Sequence, residues 1–435
     1  MKLNRMTVAA ALAFAGMGFA GSASAQAPEQ FIPLLSYRTG QFAPLGIPWA
    51  DGKLDYLKLV NAKGGINGVK LVYEECETAY ETSRGVECYE RLKGKGVGAV
   101  GFDPQSTGIT FAVSEKAPID KIPVVTPGYG LSQSVDGKVF EWNFPLLGTY
   151  WTAADSIVQD ILKKEKGSLK GKKITLVYHD SPYGKEPIPL LQKRAEKEGF
   201  ALSLLPVTAP GVEQKATWLQ VRQNRPDYVI LWSAGVMTPT AIREAQATGF
   251  PREKMYAIWW GGSDHDVTGI SGAKGYNTVT IHNTAEHDKV HDEVKALLYD
   301  KGQGAASDAK ELGALAHTRG MVISMLQVES IRAAQEKFGK GKPMTPEQVR
   351  WGLENLDLTQ ERLNELGFGK MLRPVKTSCG NHMGTDWARI AQWDGTKWNV
   401  VSDWYQGDKS LIDPLVKEYA EKYAKEKNIK VRSCN

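Results

Sequence analysis

The sequence predicts an α/β chain folded as two doubly wound, mostly parallel-sheet lobes, with a C-terminal extension. Three observations predict it. Strand-like apolar runs alternate with amphipathic stretches along most of the chain, a rhythm that calls for parallel strands with helices packed on both faces. The alternation runs once from Phe31 and starts afresh after Tyr150. Of 435 residues, a leader of 25 leaves 410, more than one hydrophobic core usually supports.

The leader comes first. Lys2 and Arg5 precede an apolar run from Met6 to Ala20 and a small-residue exit at Ala23-Ser24-Ala25, the three-part pattern of a secretory signal, with cleavage expected before Gln26. The apolar run is too short, and its exit too polar, for a spanning anchor. No cysteine flanks the cut, so the expectation is a free exported protein. Losing Lys2 and Arg5 takes the formal charge from +5 to +3, too small and dispersed a surplus for a nucleic-acid partner.

In the first set, Phe31 to Ser36 reads as a buried strand, followed by a Gly/Pro-rich loop through Pro48 and an amphipathic helix over Ala50 to Ala62. Strand Val69 to Glu74, helix Ser83 to Lys93, strand Val97 to Phe102, helix Gly108 to Lys116 and strand Pro123 to Thr126 continue the pattern. The second set opens with helix Thr152 to Lys164. Strand Lys173 to Tyr178, helix Leu190 to Lys197, strand Ala201 to Pro206 and helix Gln214 to Gln223 follow. Tyr228 to Trp232, Met255 to Trp260 and Thr278 to His282 are further strands, with helix Pro239 to Ala247 between the first two. His291 to Tyr299 and Thr318 to Phe338 read as helices. In the tail, tryptophans alternate with polar residues around Asp394-Gly395, predicting a hairpin of Arg389 to Trp393 with Trp398 to Val401.

Cys76, Cys88, Cys379 and Cys434 allow three pairings, and an oxidising compartment favours bridges. The preferred reading joins Cys76 to Cys88, close in sequence, and Cys379 to Cys434, which ties down the tail. The wide spacing and the lack of CxxC argue against a zinc or redox site.

Several segments then fall in one order: Asn61-Ala62-Lys63-Gly64-Gly65-Ile66-Asn67-Gly68, Tyr73-Glu74-Glu75, Gln105-Ser106-Thr107, Ile122-Pro123-Val124-Val125-Thr126-Pro127-Gly128, and His179-Asp180 with Tyr183-Gly184. From Phe31 to Tyr299 the chain thereby resembles the leucine/isoleucine/valine-binding family of periplasmic proteins. The resemblance implies the fold of type I periplasmic binding proteins, two lobes joined by three hinge crossings. The expected first lobe takes residues 26–147 plus 283–372, the second residues 148–282 plus 373–435. It also implies a periplasmic, non-enzymatic solute-binding component of a branched-chain-amino-acid-type ABC importer. Such a protein needs no cofactor and no metal. Its expected partners are a small ligand and an inner-membrane permease with its ATPase, and it works as a monomer.

Ligands of open parallel sheets sit beyond the carboxyl ends of strands. Ser106 and Thr107, between a strand and a helix, offer hydroxyls and free amides to a carboxylate, or else form a plain helix cap. The family pattern adds Gly128 and Tyr129 after the fourth strand, Phe42 and Leu45 as a first-lobe lid, and Tyr183 as a second-lobe aromatic that slides over the ligand. Trp232 and Trp260 end second-lobe strands, and strand alternation lets only one of Trp259 and Trp260 reach the cleft. Two departures bear on the ligand. Gly130 stands where amino-acid binders carry threonine, and Asp264 matches their ammonium-binding acid only with a shift of register. A buried ammonium without a carboxylate is costly, so a small aromatic or other apolar carboxylate competes with a branched-chain amino acid.

Other readings carry less weight. Gly96-Val97-Gly98-Ala99-Val100-Gly101 satisfies GxGxxG but lies within an expected strand, not between a strand and a helix. His287 and His291, with His282, Asp288 and Asp292 nearby, sketch a surface zinc site, yet the charged segment reads better as a solvated face. Asp264-His265-Asp266 offers a secreted hydrolase an acid and a base without a nucleophile. A sensor that shows its closed form to a chemoreceptor or kinase uses the same fold as an importer's binding protein.

Overall fold

The computed structural model describes residues 27–282 and 287–434, so the expected leader lies outside the described residues. In the first lobe, strand β1 (Glu29–Ser36) pairs in parallel with β2 (Lys70–Glu77), Phe31 facing Val72 and Leu35 facing Cys76. All of β1 beyond Glu29 is buried, as in a parallel strand covered on both faces. Strands β3 (Val124–Val125) and β4 (Asn143–Phe144) also pair in parallel. The strand expected over Val97 to Phe102 does not form: only Phe102 bridges to Val124. The reason is local, since Gly96, Gly98 and Gly101 take φ of +62°, +104° and +63°, outside the β region.

The first helix starts at Ala43, not Ala50, and runs to Ala62 with Pro48 inside it. Pro44 occupies the first turn, where the missing N–H is no loss, and Pro48 forfeits a single helical bond. This helix lies almost backbone to backbone against helix Leu315–Phe338. A Cβ on Gly52 would stand 1.9 Å from the His317 carbonyl oxygen, and one on Gly320 would stand 2.1 Å from that of Trp49. Glycine at both points permits the approach.

The second lobe holds the larger sheet. Strands β5 (Lys173–His179), β6 (Ala201–Val207), β7 (Tyr228–Trp232), β8 (Met255–Ala257) and β9 (Asn277–Thr280) run parallel in the order β9-β8-β7-β5-β6. The strand expected over Met255 to Trp260 is cut short at Ala257, and Trp259–Gly261 form a 3₁₀ turn instead. A short antiparallel pair, β10 (Asp357–Leu358) with β11 (Val375–Lys376), precedes the tail.

The tail completes the second sheet. Strand β12 (Trp387–Trp393) lies antiparallel to β9 on one side and to β13 (Trp398–Val400) on the other, with Trp393 opposite Trp398. Strand β14 (Tyr405–Gln406) also pairs with β12, and helix Lys409–Glu426 closes the chain. In chain order, helix Tyr150–Lys164 follows β4, helix Lys289–Leu297 follows β9, and helix Gln360–Leu366 lies between β10 and β11, ahead of β12. Cys76 is bonded to Cys88 and Cys379 to Cys434. No helix among the described residues is long and apolar enough to cross a membrane.

Candidate ligand-binding site

Loops beyond the carboxyl ends of strands from both lobes meet at one cavity. The first lobe contributes Tyr37, just past β1, Phe42, Leu45 and Trp49 from the first helix and its approach, and Tyr80, Gln105, Ser106, Thr107 and Tyr129 from the loops beyond. The second lobe contributes Tyr150, Tyr183, Ala234 and Trp260. Little free space remains between these side chains, about 310 Å³ counting the part open to solvent. The cavity is therefore narrow, aromatic-walled, and free of any acidic or basic side chain in its lining.

Its polar groups are few and held in place. Ser106 Oγ accepts from the Ile109 amide at 3.4 Å, capping helix Thr107–Ser114. Gln105 has φ +57°, unusual for a residue with a Cβ, and its N–H donates to the Tyr129 hydroxyl at 2.7 Å. Both polar atoms of its buried side-chain amide lack a hydrogen-bond partner. Tyr129 donates in turn to Asp103, and Asp103 is paired with Lys53 at 2.6 Å, both fully buried. Burial pushes the Tyr129 hydroxyl well above its ordinary pKa, and Asp103 adds to the effect. Burial likewise raises Tyr37, Tyr150 and Tyr183, and takes Tyr80 to about 12. The walls thus present neutral phenols throughout the physiological range.

The two lobes are in contact around this cavity. Trp49 stacks on Trp260 with centroids 4.8 Å apart and planes 12° from parallel. Trp259 Nε1 donates to the Gly128 carbonyl at 3.0 Å, and Leu315 N donates to Asp264 at 2.9 Å. Glu186 accepts from the Ser132 amide at 3.1 Å and its hydroxyl at 2.6 Å, and burial raises its pKa. These cross-lobe bonds identify the conformation as closed. Within the second lobe, Tyr183 donates to the Ser233 carbonyl at 2.9 Å and Trp260 donates to the Tyr150 hydroxyl at 2.8 Å.

Seven of the ten residues expected at a ligand site line the cavity: Phe42, Leu45, Ser106, Thr107, Tyr129, Tyr183 and Trp260. Three do not. Gly128 meets Trp259 through its carbonyl, and a Cβ there would stand 3.2 Å from the Trp259 ring. Trp232 is fully buried one layer back, edge-on to Tyr150 at 5.5 Å. Asp264 is carried away by the 3₁₀ turn and the short helix Asp264–Val267, to a surface groove shared with His265 and Glu311. The sequence reading missed Tyr37, Trp49, Tyr80, Gln105, Tyr150 and Ala234. Trp49 stands four residues after Leu45, a helical spacing that points to it once the helix starts at Ala43. His291 is buried against Thr318 at 3.0 Å, and burial lowers its pKa to about 4. Among the described residues, no cluster of three or more candidate metal ligands forms.

Comparison with known proteins agrees with this architecture. A family model described as periplasmic binding protein matches residues 29–397. A crystal structure from the Pseudomonas fluorescens group, described as an ABC transporter permease, is 41% identical. It covers 94% of this chain and 100% of its own, with a TM-score of 0.87. The Leu/Ile/Val-binding protein homolog 8 of Brucella suis is 26% identical over 64% of this chain and 69% of its own length. A solute-binding protein of an ABC transporter from R. palustris, solved with benzoate, shares the fold at a TM-score of 0.66. Its identity is 16%, over 88% of this chain and 99% of its own.

Proposed function

The chain belongs to the periplasmic binding protein family, and from that premise we propose that it is the periplasmic solute-binding component of an ABC importer, taking a small aromatic carboxylate. One observation carries the ligand reading: a closed interlobe cavity walled by aromatic rings and lined by no acidic side chain. An α-amino acid would bury its ammonium there without a counter-charge, at a cost of several kcal/mol, whereas a flat apolar body gains from edge and face contacts with the walls. The benzoate bound by the R. palustris protein fits that chemistry.

In this account the lobes, 26–147 plus 283–372 and 148–282 plus 373–435, open about the three crossings. The ligand's carboxylate meets Ser106, Thr107 and the free amides that begin helix Thr107–Ser114. Closure then brings Tyr183 and Trp260 onto its body. Binding shifts the population toward the closed shape, which an inner-membrane permease and its ATPase read. No bond is made or broken, and no cofactor takes part. The test is to denature protein purified from cells and identify the released small molecule by mass spectrometry. Calorimetry with benzoate, leucine and valine on the refolded chain follows. An aromatic acid that binds one to one supports the reading, and tight leucine binding overturns it.

A further inference from the structure

Arg319 lies on helix Leu315–Phe338 of the first lobe and is 1% exposed. Its guanidinium carbon sits 4.6 Å from the ring of Trp260, the second-lobe indole that walls the cavity. Nη1 donates to the Trp259 carbonyl at 3.1 Å. Nε and Nη2 are buried with no hydrogen-bond partner. Asp266 acts on the guanidinium through space and forms no salt bridge with it; its Oδ2 accepts from the Ser263 amide and hydroxyl at 2.9 and 2.8 Å. Tyr37 and Tyr150, both cavity residues, are near enough to interact with this charge, and Tyr150 is also within reach of Thr107. Burial lowers the Arg319 pKa to about 10, which leaves it cationic at neutral pH.

Both groups that enclose Arg319, the Trp259 carbonyl and the Trp260 ring, come from the opposite lobe. The enclosure is therefore complete only when the lobes are shut. A buried cation with unmatched donors is unfavourable, and a nearby anion relieves it. We propose that Arg319 sets the charge selectivity of the cavity: closure leaves its guanidinium without a directly paired counter-ion, and an anionic group on the ligand supplies the missing negative charge. A negative ligand then favours closure, while an empty, neutral or cationic occupant does not. This rests on the reading that the lobes close on a small ligand.

Benzoate and benzamide, alike in shape and different in charge, are the probes, titrated into the exported chain and its R319M and R319K variants. Wild type should prefer benzoate by about tenfold or more, R319K should keep most of that preference, and R319M should lose it. An unchanged ratio in R319M overturns the proposal. If wild type takes neither probe, the aromatic-acid reading fails by itself, and Arg319 is judged on ligand-free protein. By small-angle scattering, empty R319M should be more compact than empty wild type, because shutting no longer buries a charge. An equal or more expanded variant overturns the proposal, since a plain structural tie to Trp259 would loosen when cut. Should R319M fail to fold, R319Q, which retains a donor for the Trp259 carbonyl, carries the same expectations.

Discussion

At Gln105, a residue with a Cβ is held at φ +57° while its buried side-chain amide goes without partners. Left-handed backbone at such a residue costs roughly 1 kcal/mol, and an unpaired buried amide about 1–3 kcal/mol more. The Tyr129 hydroxyl and the Asp103–Lys53 pair behind it hold this arrangement in place. Gln105→Leu keeps the volume and removes the unmet amide. It should raise unfolding stability by about 1 kcal/mol in denaturant titration while weakening ligand binding in calorimetry. A variant that loses stability and keeps affinity would show the amide to be structural. At this scale the sequence was readable where a residue follows a strand end, as Tyr129 and Tyr183 do. It misled at Asp264, because nothing in Trp259-Trp260-Gly261 announces a 3₁₀ turn in place of two more strand residues.

Among the elements, the short helix Asp264–Val267 carries a pH dependence. Its Asp266 closes a capping box on Ser263, and burial pushes its carboxyl up to about 7 despite those two hydrogen bonds. Below about pH 4 both folded and unfolded chains hold this proton, so the contribution to stability is complete. As pH rises toward 7 the unfolded chain ionises first and the contribution is lost, levelling off above the folded value. Asp266→Asn should therefore gain on wild type in melting temperature steadily from pH 4 to 7. A constant difference across that window would contradict the burial argument.

The bridges give a second expectation at the same scale. They join cysteines 12 and 55 residues apart. Chain entropy makes the longer loop worth about 1 kcal/mol more, so C379S/C434S should unfold at lower denaturant than C76S/C88S. Equal midpoints would mean that helix Lys409–Glu426, packed by Ala420 and Ala424 against Val139 and Phe140, holds the tail without its bridge. Periodicity located the long helices and most parallel strands, and the Trp393–Trp398 hairpin fell where Asp394-Gly395 put it. It failed over residues 97–102, where apolar content reads as a strand and the glycine conformations forbid one.

For the whole molecule, the restart of the strand-helix rhythm after Tyr150 was enough to divide the chain into two lobes. The way they meet was not legible, because the cross-lobe contacts join residues far apart in sequence, such as Gly128 with Trp259 and Ser132 with Glu186. Those few bonds, with the Trp49–Trp260 stack, enclose the cavity, and an interface of this kind opens when its guest leaves. The most direct check is small-angle scattering on protein stripped of ligand by unfolding and refolding, recorded before and after the extracted molecule is returned. Two lobes that trap a guest between them predict a larger radius of gyration for the stripped protein and a return to the compact value at one equivalent of ligand. A radius that stays the same through stripping and return, with the molecule bound throughout, would contradict the account.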